Sequence, residues 1–179
     1  MNSRPDPALA AAALALAFTV AEARCGRETP FAAGEPAPDL RFSDLEGHEV
    51  ALGSFRGHVV VLNIWATWCA PCLAELPSLD RLHRALSRDG LVVLAVSVDE
   101  RGTDVARFAK ERGLTLRVLR DPGGSASARA LQVEAQPTTF VIDASGRLRE
   151  RYLGVADWDL PEALDHFRDL MSESTSPTR

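Results

Sequence analysis

Apolar and polar positions along the chain follow two rhythms. Val59-Val60-Val61-Leu62 is an unbroken apolar run that continues into Asn63-Ile64-Trp65, and Leu91 to Val98 is a second such run. Runs of this length read as buried strands, the second in a central parallel position. Between them Leu73, Leu76, Leu79, Leu82 and Leu86 recur at three- and four-residue spacings, the mark of a helix with one apolar face. Downstream, Thr103 is expected to cap a helix over Asp104–Arg112 that stops at Gly113. Strand, helix and strand together make a right-handed βαβ unit. Leu116–Leu119 reads as a short strand, Asp121-Pro122-Gly123-Gly124 as a turn and Ser125–Leu131 as a short helix. Thr138–Ile142 is a further apolar strand. Asp143-Ala144-Ser145-Gly146 signals a hairpin turn into a returning strand over Arg147–Gly154. Trp158 to Met171 closes the pattern as a helix, with Leu160, Ala163, Leu164, Phe167, Leu170 and Met171 toward the sheet. Upstream, Asp39–Leu52 reads as two short strands around the turn Leu45-Glu46-Gly47-His48. The class is α/β.

The pattern changes at both ends. Arg4 precedes an apolar block of 14 residues, Ala8 to Ala21, and Ala21-Glu22-Ala23 has the small-x-small form of a cleavage site. Residues 1–23 are therefore expected to be a cleavable signal peptide, with the mature chain starting at Arg24. The block is short for a bilayer-spanning helix, and an uncleaved membrane anchor is the alternative. Residues 24–37, rich in Pro, Gly and Ala toward their end, read as a flexible lead-in. Residues 38–171 hold the globular domain, and the polar residues 172–179 read as a disordered tail.

A hydrophobic content of 46% in 179 residues suits one domain with a substantial core. The net charge is −5, and basic residues, all arginine except Lys110, form no continuous run, which argues against nucleic acid as a partner. Arg147, Arg149 and Arg151 alternate with Leu148, Glu150 and Tyr152, which fits a charged edge strand that discourages aggregation.

The chemistry lies in Trp68-Cys69-Ala70-Pro71-Cys72, where a strand ends and a helix begins. At a helix N-terminus, free N–H groups and the macrodipole stabilise an anion, so a thiol there ionises more readily. The thiolate is the form that attacks disulfides. Pro71 is tolerated in the first helical turn, where its missing donor costs little. A structural disulfide and half of a zinc knuckle are the competing readings. Zinc needs a second Cys or His pair, and only Cys25 and the scattered His48, His58, His83 and His166 remain. Cys25 follows Arg24, which does not fit a lipid-anchor pattern, and reads as an unpaired thiol. A Cys-x-x-Cys beside a βαβ pattern favours redox chemistry.

Trp68-Cys69-Ala70-Pro71-Cys72, with Glu75, Pro77 and the downstream Gln136-Pro137-Thr138-Thr139-Phe140-Val141-Ile142-Asp143, resembles the thioredoxin superfamily. More narrowly it is similar to the extracytoplasmic TlpA/ResA-like thiol–disulfide oxidoreductases, over roughly residues 35–171. The resemblance implies a thioredoxin fold: a central mixed β-sheet flanked by helices, with an N-terminal β-hairpin extension. It implies Cys69 as nucleophile, Cys72 as the resolving thiol, and a cis bond before Pro137. Trp68, Ala70, Pro71, Gln136 and Pro137 would then line the substrate groove. No cofactor is implied beyond the redox-active Cys69–Cys72 disulfide, and no metal.

Two positions refine this. Cytoplasmic thioredoxins resemble one another in carrying a buried aspartate where this chain has Asn63, which cannot take a proton. Glu75, one helical turn beyond Cys72 and on the same face, is the candidate to serve the resolving thiol; a solvated helix residue is the alternative. Pro77 should bend the helix. Adjacent Asp99 and Glu100 read as a loop rather than a metal site. The expected activity is reduction of disulfides in periplasmic or otherwise extracytoplasmic proteins by a monomer, apocytochrome c among the substrates that family analogy suggests. A membrane thiol reductase would supply electrons. An oxidant that donates disulfides is the alternative, and a Sco-like copper-binding module a second. Copper proteins of that kind resemble this fold but space their cysteines by three residues and add a distal histidine. A peroxiredoxin would carry Thr at the position of Ala66.

Overall fold

The computed structural model describes residues 33–175. The expected signal peptide and Cys25 lie outside the described residues. Seven strands form one sheet: β1 (Arg41–Ser43), β2 (Glu49–Ala51), β3 (Val60–Trp65), β4 (Val92–Ser97), β5 (Arg117–Arg120), β6 (Thr138–Ile142) and β7 (Leu148–Leu153). Among the described residues, four α-helices accompany them: α1 (Ala70–Leu86), α2 (Val105–Glu111), α3 (Ser127–Ala130) and α4 (Pro161–Thr175). The strand order is β2-β1-β5-β4-β3-β6-β7, with β3, β4 and β5 parallel and the other pairings antiparallel. This is the thioredoxin-like arrangement with the β1–β2 hairpin added at one edge.

The buried residues explain why β3 is central. All six of its residues are buried, as are the facing Val93 to Val96 and Phe140 to Ile142. The chain steps from β3 to β4 to β5 in one direction across the sheet. With right-handed crossovers, α1 and α2 must then lie on the same face. Asn63 and Trp65 share that face by the two-residue period of the strand. Trp65 meets Phe108 of α2 there, with ring centroids 5.6 Å apart, and α4 packs beside α1.

Several local expectations are revised. Asp104, not Thr103, caps α2, its carboxylate accepting the Arg107 N–H at 2.9 Å. Leu160 is exposed rather than facing the sheet, because the helix starts at Pro161, three residues later than expected, and leaves Leu160 in the loop before it. α4 also runs through Thr175, into the segment expected to be a disordered tail; Ser172 Oγ donates to the Asp169 carbonyl and Arg149 pairs with Glu173. The lead-in is bound to the sheet from Gly34 onward. Gly34 N–H donates to the Leu148 carbonyl, Leu148 N–H to Glu35 and Ala37 N–H to Gly146. The arginines of the edge strand are engaged: Arg147 with the Gly34 carbonyl, Arg149 with Asp143, and Arg151 over the Phe140 ring. α1 is continuous through Pro77, whose ring side is exposed.

Candidate active site

β3 leaves the core at Trp65, and four residues later Cys69 caps α1. Cys69 has extended backbone angles (φ −87°, ψ 98°), and its Sγ accepts the Cys72 N–H at 3.3 Å. The sulfur thus holds the place that a Ser or Asp side chain takes at other helix N-termini. A thiolate there gains a hydrogen bond and the positive end of the helix dipole. Cys69 and Cys72 are joined in a disulfide, with Cα atoms 5.3 Å apart. Cys69 keeps 6% of its surface exposed and Cys72 only 1%, so an incoming sulfur reaches Cys69 first.

The loop that carries the pair is anchored from β4. Asp99 is buried and accepts the Thr67 N–H at 2.9 Å, the Thr67 hydroxyl at 2.6 Å and the Ser97 hydroxyl at 2.7 Å. On the other side stands the Gln136–Pro137 peptide, which is cis. The Gln136 carbonyl oxygen lies 3.6 Å from Cys69 Sγ. Pro137 is buried, and its carbonyl accepts the Gly154 N–H at 2.9 Å. Trp68 is 69% exposed, an unusual state for an indole. It borders a cavity of about 210 Å³ with Ile64, Val133 and Gln136. Ala70 and Pro71, next to Cys69 in the chain, are also exposed.

Glu75 is 1% exposed, which rules out a solvated helix residue. The Trp158 indole N–H donates to Glu75 Oε1, and Asn63 Nδ2 approaches Oε2 at 3.4 Å. Asn63 Nδ2 also donates to Thr139 Oγ1 at 2.8 Å, across the β3–β6 pairing. Burial raises the carboxyl pKa from 4.5 to about 7, against the lowering effect of hydrogen bonds from Trp158, the Ala156 N–H and Asn63. A carboxyl that titrates near neutrality can accept and return a proton there. Among the described residues, no His, Asp or Glu joins the cysteines in a three-ligand metal cluster.

Residues 33–151 match the AhpC/TSA family. The chain belongs to the AhpC/TSA family. It is 36% identical over 140 residues to the thiol-disulfide oxidoreductase ResA of Geobacillus kaustophilus, an alignment covering 78% of this chain and 80% of that one. The ResA of Geobacillus thermodenitrificans is 38% identical over the same shares. A secreted thiol-disulfide isomerase from Corynebacterium glutamicum matches the fold with a TM-score of 0.65 at 28% identity, covering 78% of this chain and 86% of that one. Within the AhpC/TSA family, then, this is a thiol-disulfide oxidoreductase of ResA type, and Cys69–Cys72 is its reactive pair.

This member of the AhpC/TSA family brings Cys69, Cys72, Glu75, Trp68, Gln136 and Pro137 together at one end of the sheet. Sequence reasoning missed Trp158, Thr139 and the Asp99–Thr67 tie. Thr139 had a usable signal, since it pairs with Asn63 once β6 is placed beside β3. Trp158 lies 83 positions from Glu75 and had none.

Proposed function

We propose that the protein works outside the cytoplasm as a reductant of disulfides in other exported proteins. The observation that carries this is the buried Glu75 one turn beyond Cys72 on α1. When ionised, Glu75 opposes a thiolate at Cys72 by like-charge repulsion. The first basic residue of α1 is Arg81, nine positions beyond Cys72 and paired with Asp159, so no cation of the first two turns offsets this near the pair. A dithiol whose ionised form is poorly stabilised favours giving up its electrons, the reverse of an oxidant whose reduced form is stabilised. The apolar block of residues 8–21 supports export.

In this reading the Cys69 thiolate attacks a substrate disulfide, forming a mixed disulfide and expelling one substrate thiolate. Glu75 takes the Cys72 proton, and Cys72 attacks Cys69 Sγ. The second substrate thiolate leaves and takes the proton held on Glu75, while the first takes one from water, equivalent to the proton that Cys69 lost on ionising. The substrate gains two electrons and two protons as Cys69–Cys72 becomes a disulfide. Trp68, Ala70, Pro71, Gln136 and Pro137 seat the substrate chain. A membrane thiol reductase returns the electrons, and the protein acts as a monomer. Apocytochrome c fits as a substrate, because its haem-attachment cysteines must be reduced in an oxidising compartment.

Equilibration against glutathione or dithiothreitol buffers tests the direction. A potential at or below roughly −270 mV supports the reductant, and one near −120 mV overturns it.

A further inference from the structure

Trp158 lies between β7 and α4, outside the motif residues, yet it is fully packed at the core of the site. Its ring is held from both neighbouring elements: Tyr152 of β7 meets it edge-on at 5.0 Å, and Phe167 of α4 lies at 6.2 Å. So held, the indole points its one polar hydrogen at Glu75 Oε1. An indole N–H donates but never accepts, so Oε1 is permanently occupied by a donor. The Asn63 amide approaches Oε2 at 3.4 Å and also donates to Thr139 at 2.8 Å, and the Ala156 N–H is a further donor to the carboxyl.

We propose that Trp158 is a positioning residue for the thiol–disulfide exchange: its indole clamps Oε1 of Glu75 and so orients the carboxyl that takes and returns the Cys72 proton. This rests on the proton-acceptor role given to Glu75 above. The clamp has a directional consequence. A donor to a carboxylate favours its ionised form, so without the indole N–H the Glu75 carboxyl keeps its proton to higher pH. The other titratable groups around the cluster are Cys72 and Arg81 of α1, Asp157 and Asp159 beside Trp158, Tyr152 and Glu150 of β7, and His166 of α4. Arg81 is bound by Asp159, and Glu150 is contacted by both Tyr152 and His166. The hydrogen bonds that lower the Glu75 pKa come from Trp158, the Ala156 N–H and Asn63.

The test follows the resolution step in the full chain. Reduced protein is mixed with an aromatic disulfide that releases a coloured thiolate, and the second release, driven by Cys72, is timed against pH. Trp158→Phe keeps an aromatic ring and removes the N–H. Its midpoint should move up by about one pH unit, the equivalent of one charge-assisted hydrogen bond. In a Glu75→Gln background Trp158→Phe should add nothing. Phe167→Leu, which loosens the packing but keeps the N–H, should leave the midpoint in place. An unmoved midpoint in Trp158→Phe, or an equal shift in Phe167→Leu, overturns the proposal while leaving the Glu75 role standing. A Glu75→Gln profile identical to wild type removes both. A second measurement needs no Trp158 variant: the indole N–H resonance of Trp158 in the oxidised protein should titrate in wild type and be flat in Glu75→Gln. A flat wild-type resonance overturns the clamp.

Discussion

Asp99 holds Thr67 by two hydrogen bonds, 2.9 Å from its N–H and 2.6 Å from its hydroxyl, and so ties the end of β4 to the loop that presents Cys69. The carboxylate is buried and also accepts the Ser97 hydroxyl. Removing it leaves three donors without their acceptor, the buried Ser97 hydroxyl among them. Asp99→Ala should cost about 2–4 kcal/mol of stability, the scale for losing charged hydrogen bonds and leaving buried donors unpaired. Urea unfolding of the oxidised protein checks this. Asp99→Asn retains one acceptor oxygen and should recover part of the loss. Disulfide reduction by Asp99→Ala should slow more than its folded fraction accounts for, since the loop aims the nucleophile.

Glu75 gives the stability a pH dependence of unusual sign for a carboxylate. Its pKa is about 7 in the folded protein, against 4.5 for the free group, because burial disfavours the charge. Between those values the folded state binds more protons than the unfolded state, so this group's stabilisation is full below pH 4.5 and falls as pH rises through 7. The difference amounts to roughly 3 kcal/mol from the linkage relation. Denaturant midpoints of the oxidised protein, in which neither active-site cysteine titrates, should fall from pH 5 to pH 8. Glu75→Gln should flatten that slope. A slope that survives in Glu75→Gln would assign it to another group.

Trp68 separates recognition from stability. At 69% exposure its ring contributes little to the core, so Trp68→Ala should change stability by about 0.5 kcal/mol or less. Reduction of a folded protein disulfide should nevertheless fall about tenfold, the scale expected when one aromatic contact of 1–2 kcal/mol is lost. Reduction of a small aliphatic disulfide, which needs only the sulfur, should be nearly unchanged. Equal losses on both substrates would show that the indole shapes the thiol and not the groove.

The parts of the site that the sequence makes legible are those whose signal is local. Cys69, Cys72 and Pro71 sit within four residues, and the strand before them and leucine spacing after them place them at a helix start. β3, β4 and β6 are legible because strands buried on both faces are predominantly apolar, broken here only by Asn63 in β3, Ser97 at the end of β4 and Thr138-Thr139 at the start of β6. Glu75 was visible as a position three residues past Cys72, but its burial was not, since that depends on the loop through Ala156 and Trp158 closing over α1. Asp99 read as a plain loop residue because its partner Thr67 is 32 positions away. The α2 cap was misplaced by one residue for a different reason: Thr103 and Asp104 are both good caps, and only the backbone decides which side chain reaches Arg107.

The two cysteines should fail differently. Cys69 is the more exposed cysteine and the one whose sulfur accepts the Cys72 N–H, so the attacking thiolate forms there. Cys72, almost wholly buried, can reach only the sulfur beside it. Cys72→Ala should therefore still attack a substrate disulfide but be unable to release it, and a covalent complex should accumulate that thiol reductants dissolve. Cys69→Ala keeps a thiol that substrates cannot reach, and it should form no such complex and lose turnover altogether. Non-reducing electrophoresis after acid quenching reads both outcomes. A complex trapped by Cys69→Ala and not by Cys72→Ala would reverse the assignment and require a rearranged first turn of α1 in the reduced protein.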